Sequence, residues 1–250
     1  MRLTQFVCFE ITDKCTRGRE HTACPNQHPD RWLGTVGRRT MTILQMVEIV
    51  TKMHAGGWGG MVGFHHYCEP LADMPRLLAV VRYIRSAVPG QRFVLWTNGD
   101  MFPEDLSILA GIFSQIMVSN YAGRDLSRLG TICPIIHSVP TTLDWRMNPP
   151  LQYGRSPNCL RPHLEMTFDY YGQVRTCCND WRAITSVGNI HDTPFEVLWE
   201  RWVALRDSVA ANPMGDRAPP RCLCCGTRYT NMSQYVPEVA DRIQHHLAGK

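Results

Sequence analysis

The eleven cysteines of this 250-residue chain are the side chains best suited to chemistry, and they are unevenly spaced. Five of them lie between residues 177 and 225. An odd number of cysteines in a chain of this size, with no signal peptide at its start, argues against a disulfide framework. The roles that remain are metal ligation, thiol chemistry and scattered buried thiols. Because the cysteines cluster, metal ligation is favoured.

The first group of cysteines follows a predicted strand, Phe6–Ile11. Cys15 and Cys24 lie in a polar segment rich in glycine and proline, with His21 between them. A segment of about thirty residues is too long for an ordinary connection and is expected to be functional. Iron–sulfur clusters are bound by thiolates, and imidazole can replace some of them. The alternative is that Cys15 and Cys24 are two incidental thiols.

The second group surrounds a predicted β-hairpin at residues 165–176. Cys159 precedes the hairpin, Cys177-Cys178 follows it, and Cys222-Leu223-Cys224-Cys225 comes after a predicted helix. Four thiolates can hold a 4Fe-4S cluster or a structural zinc ion. Zinc ribbons usually contain two close cysteine pairs, and here only Cys222 and Cys225 form such a pair. The spacing therefore favours a cluster.

The elements that position these cysteines alternate between strand and helix from residue 5 to about residue 140. This alternation is typical of parallel strands joined by right-handed crossovers. It predicts an α/β fold, a partial (β/α)6 TIM-like barrel, because about six units are too few for a closed eight-stranded barrel. A proline-rich linker then separates a barrel domain, residues 1–145, from a small cluster domain, residues 146–250. The predicted strands before this linker are Phe6–Ile11, Met61–His65, Phe93–Trp96, Gln115–Ser119 and Ile132–Val139, and the predicted helices of the chain are Ile43–Met53, Met74–Val88, Asp105–Ala110 and Phe195–Val209.

The loop after the first strand resembles the cluster loop of the radical S-adenosylmethionine superfamily. That loop has three cysteines spaced C-x3-C-x2-C, often followed by Pro-Asn, as in Cys24-Pro25-Asn26. Here His21 stands at the middle position, and the preceding cysteine is Cys15. The resemblance implies a 4Fe-4S cluster bound by Cys15, His21 and Cys24. The alternatives are that Cys8 or Cys68 is the third ligand, or that the loop binds no catalytic cluster.

Two later segments resemble cofactor-binding motifs of the same superfamily. Residues 63–71, GFHHYCEPL, are similar to the "GGEP" segment that binds the amino group of S-adenosylmethionine, although only Glu69-Pro70 matches it. Thr97-Asn98-Gly99 matches a recurrent "TNG", and Ser119 ends the next strand. Carboxyl ends of parallel strands are where such folds bind ligands. The residues that the resemblance assigns to the cofactor are Tyr67, Glu69, Pro70, Thr97, Asn98 and Ser119.

The C-terminal third resembles the SPASM domain and its shorter form, the twitch domain. The matching features are the hairpin with its paired cysteines, the segment Val187-Gly188-Asn189-Ile190, the tryptophan-containing helix and the closing C-x-x-C. The resemblance implies a second 4Fe-4S cluster, with Cys178 and Cys224 able to exchange with their neighbours as ligands. The implied ligands of this auxiliary cluster are Cys159, Cys177, Cys222 and Cys225.

The resemblance implies that a reduced cluster cleaves S-adenosylmethionine and that the resulting radical abstracts a hydrogen atom from a small substrate. Members similar to this chain oxidise or epimerise sugars or aminocyclitols in antibiotic biosynthesis. Dehydrogenation of an alcohol carbon is favoured over epimerisation, with an external flavodoxin- or ferredoxin-type electron donor. A peptide-modifying SPASM enzyme and a non-catalytic metal-binding module are further alternatives. The candidate catalytic residues are Cys68, Arg155, Cys178 and Asp180.

Composition excludes several other classes of function. The net charge of +4 is small and dispersed, which does not favour nucleic-acid binding. The sequence has no apolar run of the roughly 18 residues needed to span a bilayer. With no targeting segment, a cytoplasmic location is expected.

We predict that the protein, reconstituted anaerobically with iron and sulfide, binds about eight irons, because each cysteine group is expected to hold a four-iron cluster. Cys222→Ala should lose about half of that iron, since it removes one auxiliary ligand. Elemental analysis of iron and sulfide per chain measures both. A chain that saturates with zinc and takes up no sulfide contradicts the prediction.

Overall fold

The structure is a computed structural model. It describes residues 5–17, 26, 39–121, 123, 125–127, 135–138, 164–177 and 187–211, with the main chain alone at 135–138 and 209–211.

Seven strands form one sheet within these described ranges. Its order is β5-β4-β3-β2-β1-β6-β7, and every neighbouring pair is parallel except β6 and β7. This confirms the predicted α/β class with a parallel sheet. The strands are β1 Phe6–Phe9, β2 Met61–Phe64, β3 Arg92–Thr97, β4 Gln115–Ser119, β5 Ile135–Ser138, β6 Glu165–Phe168 and β7 Val174–Arg175.

The C-terminal hairpin, β6 and β7, continues the same sheet. β6 lies parallel to β1 on the side opposite β2, with Phe6 paired to Glu165 and Phe9 to Phe168. β7 then turns back antiparallel to β6. The hairpin, which the sequence assigns to the cluster domain, is therefore joined to β1 by hydrogen bonds. The division at residue 145 stays a prediction, since that residue lies outside the described ranges.

Four helices accompany the described strands: α1 Ile43–Ala55, α2 Met74–Ala87, α3 Ser107–Ala110 and α4 Phe195–Ala211. α1 begins with a capping box, in which Thr42 and Gln45 satisfy each other's main-chain N–H groups, and it ends at Gly56. α2 has Asp73 as its N-cap and Pro75 in its first turn. No helix within the described ranges is long and apolar enough to cross a membrane.

Each face of the sheet has its own buried cluster. The larger cluster joins alternate strand residues, such as Val7 and Phe9, to the apolar faces of the helices. The smaller one lies on the opposite face and contains Phe6, Cys8 and Val94. Phe6 on β1 contacts Trp96 on β3 edge to face at 5.4 Å, across the intervening β2. Because side chains two strands apart meet, this second face is concave, as a partial barrel requires.

α4 returns the chain from the hairpin to α1. Lys52 of α1 forms ion pairs with Glu48 on its own helix at 2.7 Å and with Glu196 of α4 at 2.9 Å. Gln45 Nε2 lies 3.2 Å from His191 Nδ1, just before α4. All of these groups are at least partly exposed, so each contributes little to stability alone. Together they fix where the segment after the hairpin meets the barrel.

The turn between β6 and β7 requires glycine. Gly172 has φ of +76°, and a Cβ atom there would lie 2.6 Å from Ile190 Cγ2. The Gly172 N–H donates to Asp169 O, and its carbonyl accepts from Ile190 N–H. The turn is thus held against the segment that leads into α4.

We predict that Gly172→Ala lowers the free energy of unfolding by about 2–4 kcal/mol, because left-handed strain and a steric clash add. Gly57→Ala is the matched control, since Gly57 has φ of +82° but nothing within 4 Å of the added Cβ. The control should lose about 1–2 kcal/mol from strain alone. Urea unfolding measures both, and equal losses would contradict the packing assigned to this turn.

Candidate functional site

The carboxyl ends of adjacent parallel strands meet at one edge of the sheet, where polar side chains replace the apolar core. Residues following β1, β2, β3 and β6 contact one another there through buried carboxylates. The cofactor residues expected from sequence lie at this edge. We define the carboxyl edge as residues 10–17, 65–71, 97–100, 119–121 and 169–170.

Glu69 is a buried carboxylate of the carboxyl edge with three hydrogen-bond donors around it. It is 2% exposed. Its Oε1 accepts hydrogen bonds from Leu71 N–H at 3.1 Å and Thr97 Oγ1 at 2.6 Å, and its Oε2 accepts from Asn98 N–H at 2.7 Å. Burial raises the pKa of Glu69, while the bonds from Thr97, Asn98 and Leu71 lower it in part. The carboxylate therefore locks the end of β2 to the end of β3.

The predicted cofactor segments are thereby brought together. Glu69-Pro70 and Thr97-Asn98 are far apart in sequence but share the hydrogen bonds of one carboxylate. Pro70 is buried in the first turn of a short 3-10 helix, Pro70–Asp73. Ser119 is half-buried at the end of β4, the next strand along. Their roles in cofactor binding stay predictions.

A second buried carboxylate, Glu10, was not assigned a role from the sequence. It directly follows β1 and is 2% exposed. Its Oε1 accepts from Tyr67 N–H at 3.1 Å and its Oε2 from Tyr170 N–H at 3.3 Å. Glu10 thus joins the ends of β2 and β6 across β1. The signal in the sequence was a charged residue directly after the apolar run Phe6–Phe9.

The loop that carries Cys15 is tied to the same edge. Lys14 O accepts from Glu69 N–H at 2.9 Å. Thr16 Oγ1 accepts from Asn98 Nδ2 at 2.9 Å. These contacts leave Cys15 half-buried between two anchored residues. A predicted cluster ligand therefore lies beside the predicted cofactor segments.

Arg17 and Asp100 form a further anchor that sequence reasoning missed. Arg17 Nε lies 2.5 Å from Asp100 Oδ2, and its Nη2 lies 2.7 Å from Oδ1, a bidentate pair. Both side chains are largely buried, at 14% and 13% exposure. The Arg17 guanidinium also lies over the Tyr121 ring, 5.6 Å from its centre. The loop after β1 is thus held to the ends of β3 and β4.

Cys68 and Tyr67 face different neighbours. The Cys68 thiol is half-buried and donates to Asn26 Oδ1 at 3.5 Å. Asn26 belongs to the predicted cluster loop, so this contact places Asn26 at the end of β2. The Tyr67 ring is buried at 6% exposure and lies 3.9 Å from the His66 ring.

The hairpin is rigid where it leads to the auxiliary cysteines. Asp169 and Arg175 form a buried ion pair, with Arg175 Nε 2.8 Å and Nη2 2.5 Å from Asp169 Oδ2. Asp169 Oδ1 accepts from the N–H groups of Tyr171 and Gln173. Cys177 follows β7 and is half-buried. Cys177 thus lies two residues after Arg175, which the buried salt bridge holds in place.

The other predicted site residues lie outside the part of the chain that the structure describes, so their positions stay predictions. They are His21, Cys24, Arg155, Cys159, Cys178, Asp180, Cys222 and Cys225.

The described residues fit the groups that the sequence implies. Cys15 and Cys177 offer soft thiolate donors, and both are half-buried beside anchored main chain. A cluster needs ligands held in place but open on one side, and half-buried thiols at a strand edge meet that need. Asn98, the middle residue of the predicted "TNG" motif, is 9% exposed. Its side-chain amide donates to Thr16 Oγ1 and accepts from Asp100 N–H. The edge is therefore preorganised.

Comparison with known proteins supports this interpretation. Residues 159–226 match the sequence model of SPASM, an iron–sulfur cluster-binding domain. Among solved structures, BtrN in complex with AdoMet and 2-DOIA matches with a TM-score of 0.63 and 18% identity, covering 93% of this chain and 96% of BtrN. Selenomethionine BtrN in an open conformation matches with a TM-score of 0.61 and 19% identity, covering 90% and 94%. No curated protein matched the chain.

The SPASM match confirms the resemblance of the C-terminal third to that iron–sulfur cluster-binding domain, and the BtrN matches agree with the fold that the resemblance to radical S-adenosylmethionine proteins implies. The SPASM match contains all four predicted auxiliary ligands, Cys159, Cys177, Cys222 and Cys225. At 18% identity, the likeness to BtrN establishes the fold.

We predict that Thr97→Val lowers the free energy of unfolding by about 2–3 kcal/mol, because Glu69 and the Gly99 N–H each lose the hydrogen bond that they make with the Thr97 hydroxyl. Thr97→Ser keeps the hydroxyl and should lose about 1 kcal/mol, the value of one methyl group. Urea unfolding of the two variants measures the difference. If valine and serine are equally destabilising, Glu69 is not the joint between β2 and β3.

Proposed function

We propose that this chain is a radical S-adenosylmethionine enzyme that oxidises an alcohol carbon of a small sugar or aminocyclitol. The observation that carries the proposal is the convergence at the carboxyl edge of Cys15, the Glu69-Pro70 segment and the Thr97-Asn98 segment. The matched SPASM domain in the same chain supports it.

The residues of the carboxyl edge orient the ligands. Cys15, His21 and Cys24 are the proposed ligands of the N-terminal cluster, and Tyr67, Glu69, Pro70, Thr97, Asn98 and Ser119 are proposed to hold the cofactor. When bound, a reduced 4Fe-4S cluster and S-adenosylmethionine supply a radical able to remove a hydrogen atom from carbon. Glu69 also fixes the main chain around it, because its two oxygens accept hydrogen bonds from Leu71, Thr97 and Asn98.

The auxiliary domain supplies the second part of the proposal. Cys159, Cys177, Cys222 and Cys225 are the proposed ligands of a second 4Fe-4S cluster in domain 146–250, beside the barrel domain 1–145. An auxiliary cluster close to the substrate is suited to accept the electron that dehydrogenation releases. An external flavodoxin- or ferredoxin-type protein is the proposed reductant of the N-terminal cluster. We propose a cytoplasmic location for the enzyme.

The proposed substrate class rests on the solved structure with the same fold. BtrN was crystallised with AdoMet and 2-DOIA, and this chain covers 96% of it. We therefore propose that this chain likewise takes a small-molecule substrate together with S-adenosylmethionine. Arg155 and Asp180 are the proposed groups that bind substrate hydroxyls or accept the alcohol proton.

Epimerisation is the second candidate, and one observation favours it. Cys68 holds a half-buried thiol at the end of β2, beside the cofactor segment. A cysteine S–H can return a hydrogen atom to a substrate radical from the opposite face, which inverts the carbon. Cys178, next to an auxiliary ligand, is the other candidate donor.

We predict that the reduced, reconstituted protein cleaves S-adenosylmethionine in the presence of its aminocyclitol or sugar substrate. In deuterated water, the product should be a carbonyl compound with no solvent deuterium at the oxidised carbon, because dehydrogenation returns no hydrogen. Mass spectrometry of a panel of aminocyclitols and sugars measures product and 5′-deoxyadenosine together.

Two results would redirect or reject this proposal. An isomeric product with one deuterium at an inverted carbon, lost in Cys68→Ala but kept in the matched control Cys133→Ala, makes the protein an epimerase. If no member of the panel triggers cofactor cleavage while both clusters are assembled, the proposed substrate class is wrong.

A further inference from the structure

A second set of metal-binding side chains lies inside the barrel, apart from the cluster loops. It consists of Cys8 at the middle of β1, His65 directly after β2, and Glu165 at the start of β6. We call these three residues the inner triad. They come from three adjacent strands of the sheet and lie on its concave face, with Phe6 and Val94.

The donor atoms of the inner triad are close together. Cys8 Sγ, one His65 ring nitrogen and one Glu165 carboxylate oxygen all lie within 4.8 Å of one another. His65 Nε2 is 3.4 Å from Glu165 Oε2. In tetrahedral zinc sites with bonds of about 2.0–2.2 Å, two nitrogen or oxygen ligands lie about 3.4 Å apart. The imidazole and the carboxylate already have the spacing of two ligands of one ion.

The surroundings of the inner triad also favour an ion. Cys8 is fully buried and Glu165 is 3% exposed. Within the described ranges, His65 Nε2 is buried and makes no hydrogen bond, and the same holds for Thr167 Oγ1. Thr167 is paired with Cys8 in the sheet, so both side chains lie on the concave face. Buried polar atoms without hydrogen bonds are costly unless another group binds them.

Gly63 keeps the space beside Cys8 open. A Cβ atom at this position would lie 2.7 Å from Cys8 Sγ and 2.8 Å from Trp96 Cζ3. The Trp96 ring in turn lies 4.4 Å from the His65 ring and supports it from the side. Glycine at position 63 therefore allows both the thiol and the imidazole to occupy the concave face.

We propose that the inner triad binds one divalent transition-metal ion, with zinc as its simplest occupant. A thiolate, an imidazole and a carboxylate are all zinc ligands, and three protein ligands leave a fourth position open. Sulfur-to-nitrogen distances in such sites are about 3.6 Å, so the Cys8 sulfur, which lies within 4.8 Å of the other two donor atoms, needs to move by at most about 1.2 Å to bind the ion. A water molecule can occupy the fourth position, and Thr167 lies on the same face of the sheet as Cys8.

This site is independent of the proposed function. It also removes Cys8 from the alternatives for the third ligand of the N-terminal cluster. If Cys8 is a cluster ligand, substituting it lowers the iron content of the protein. If Cys8 is a zinc ligand, substituting it lowers the zinc content. Metal analysis therefore separates the two assignments.

The experiment uses the full chain with its iron–sulfur clusters reconstituted, then dialysed against zinc and freed of loosely bound ion. We expect one zinc per chain, lost in Cys8→Ala, His65→Ala and Glu165→Gln, with iron content unchanged. His66→Ala is the matched control, because it removes the neighbouring imidazole, and it should keep its zinc. Glu165→Gln retains the size of the side chain, so it tests the site even if another variant fails to fold.

X-ray absorption at the zinc edge identifies the ligands. The proposal requires one sulfur at about 2.3 Å and the remaining ligands nitrogen or oxygen at about 2.0–2.2 Å. Zinc bound by three or four sulfurs would occupy the cluster cysteines and overturns the proposal. Equal zinc in the wild type and all three variants, or none in any of them, also overturns it, and leaves His65 and Glu165 as a buried ion pair.

Discussion

A carboxylate buried among three hydrogen-bond donors is the interaction on which the carboxyl edge depends. Glu69 has almost no contact with water, yet its oxygens accept from Leu71, Thr97 and Asn98. A buried carboxylate without such donors would be strongly unfavourable, so the ends of β2 and β3 are held in the one arrangement that satisfies it. Hydrogen bonds to a charged group contribute about 1.5–3 kcal/mol each, enough to order two loops.

Further contacts connect the ends of β2 and β3 to the neighbouring strand and loop. Glu10, which follows β1, accepts hydrogen bonds from Tyr67 after β2 and from Tyr170 after β6, and so connects β2 to the hairpin. The Arg17–Asp100 ion pair connects the end of β3 to the loop after β1, where Cys15 lies. The helix-covered face of the sheet holds the larger apolar cluster, while the buried carboxylates Glu10 and Glu69 lie at the carboxyl edge. The polar contacts at the carboxyl edge are therefore separate from the larger apolar cluster.

The spacing of apolar residues was sufficient to predict the strands and helices that the structure describes. It did not predict which strands pair with each other. The helix at Ile43–Ala55 and the strand at Gln115–Ser119 follow from apolar spacing and flanking glycines. That spacing could not show that β6 joins β1, because a parallel pairing over so long a separation leaves no local signal. The inner triad was missed for the same reason, since its members belong to three strands. Motif resemblance located Glu69 but not its role as a structural joint.

The central claim is that S-adenosylmethionine binds a cluster at the carboxyl edge. Electron–nuclear double resonance of the reduced Cys222→Ala protein, with the cofactor isotopically labelled at its amino nitrogen, tests it most directly, because this variant is expected to keep only the N-terminal cluster. The account predicts a hyperfine coupling between that nitrogen and the cluster. A reduced N-terminal cluster whose spectrum shows no coupling to the labelled nitrogen would contradict it.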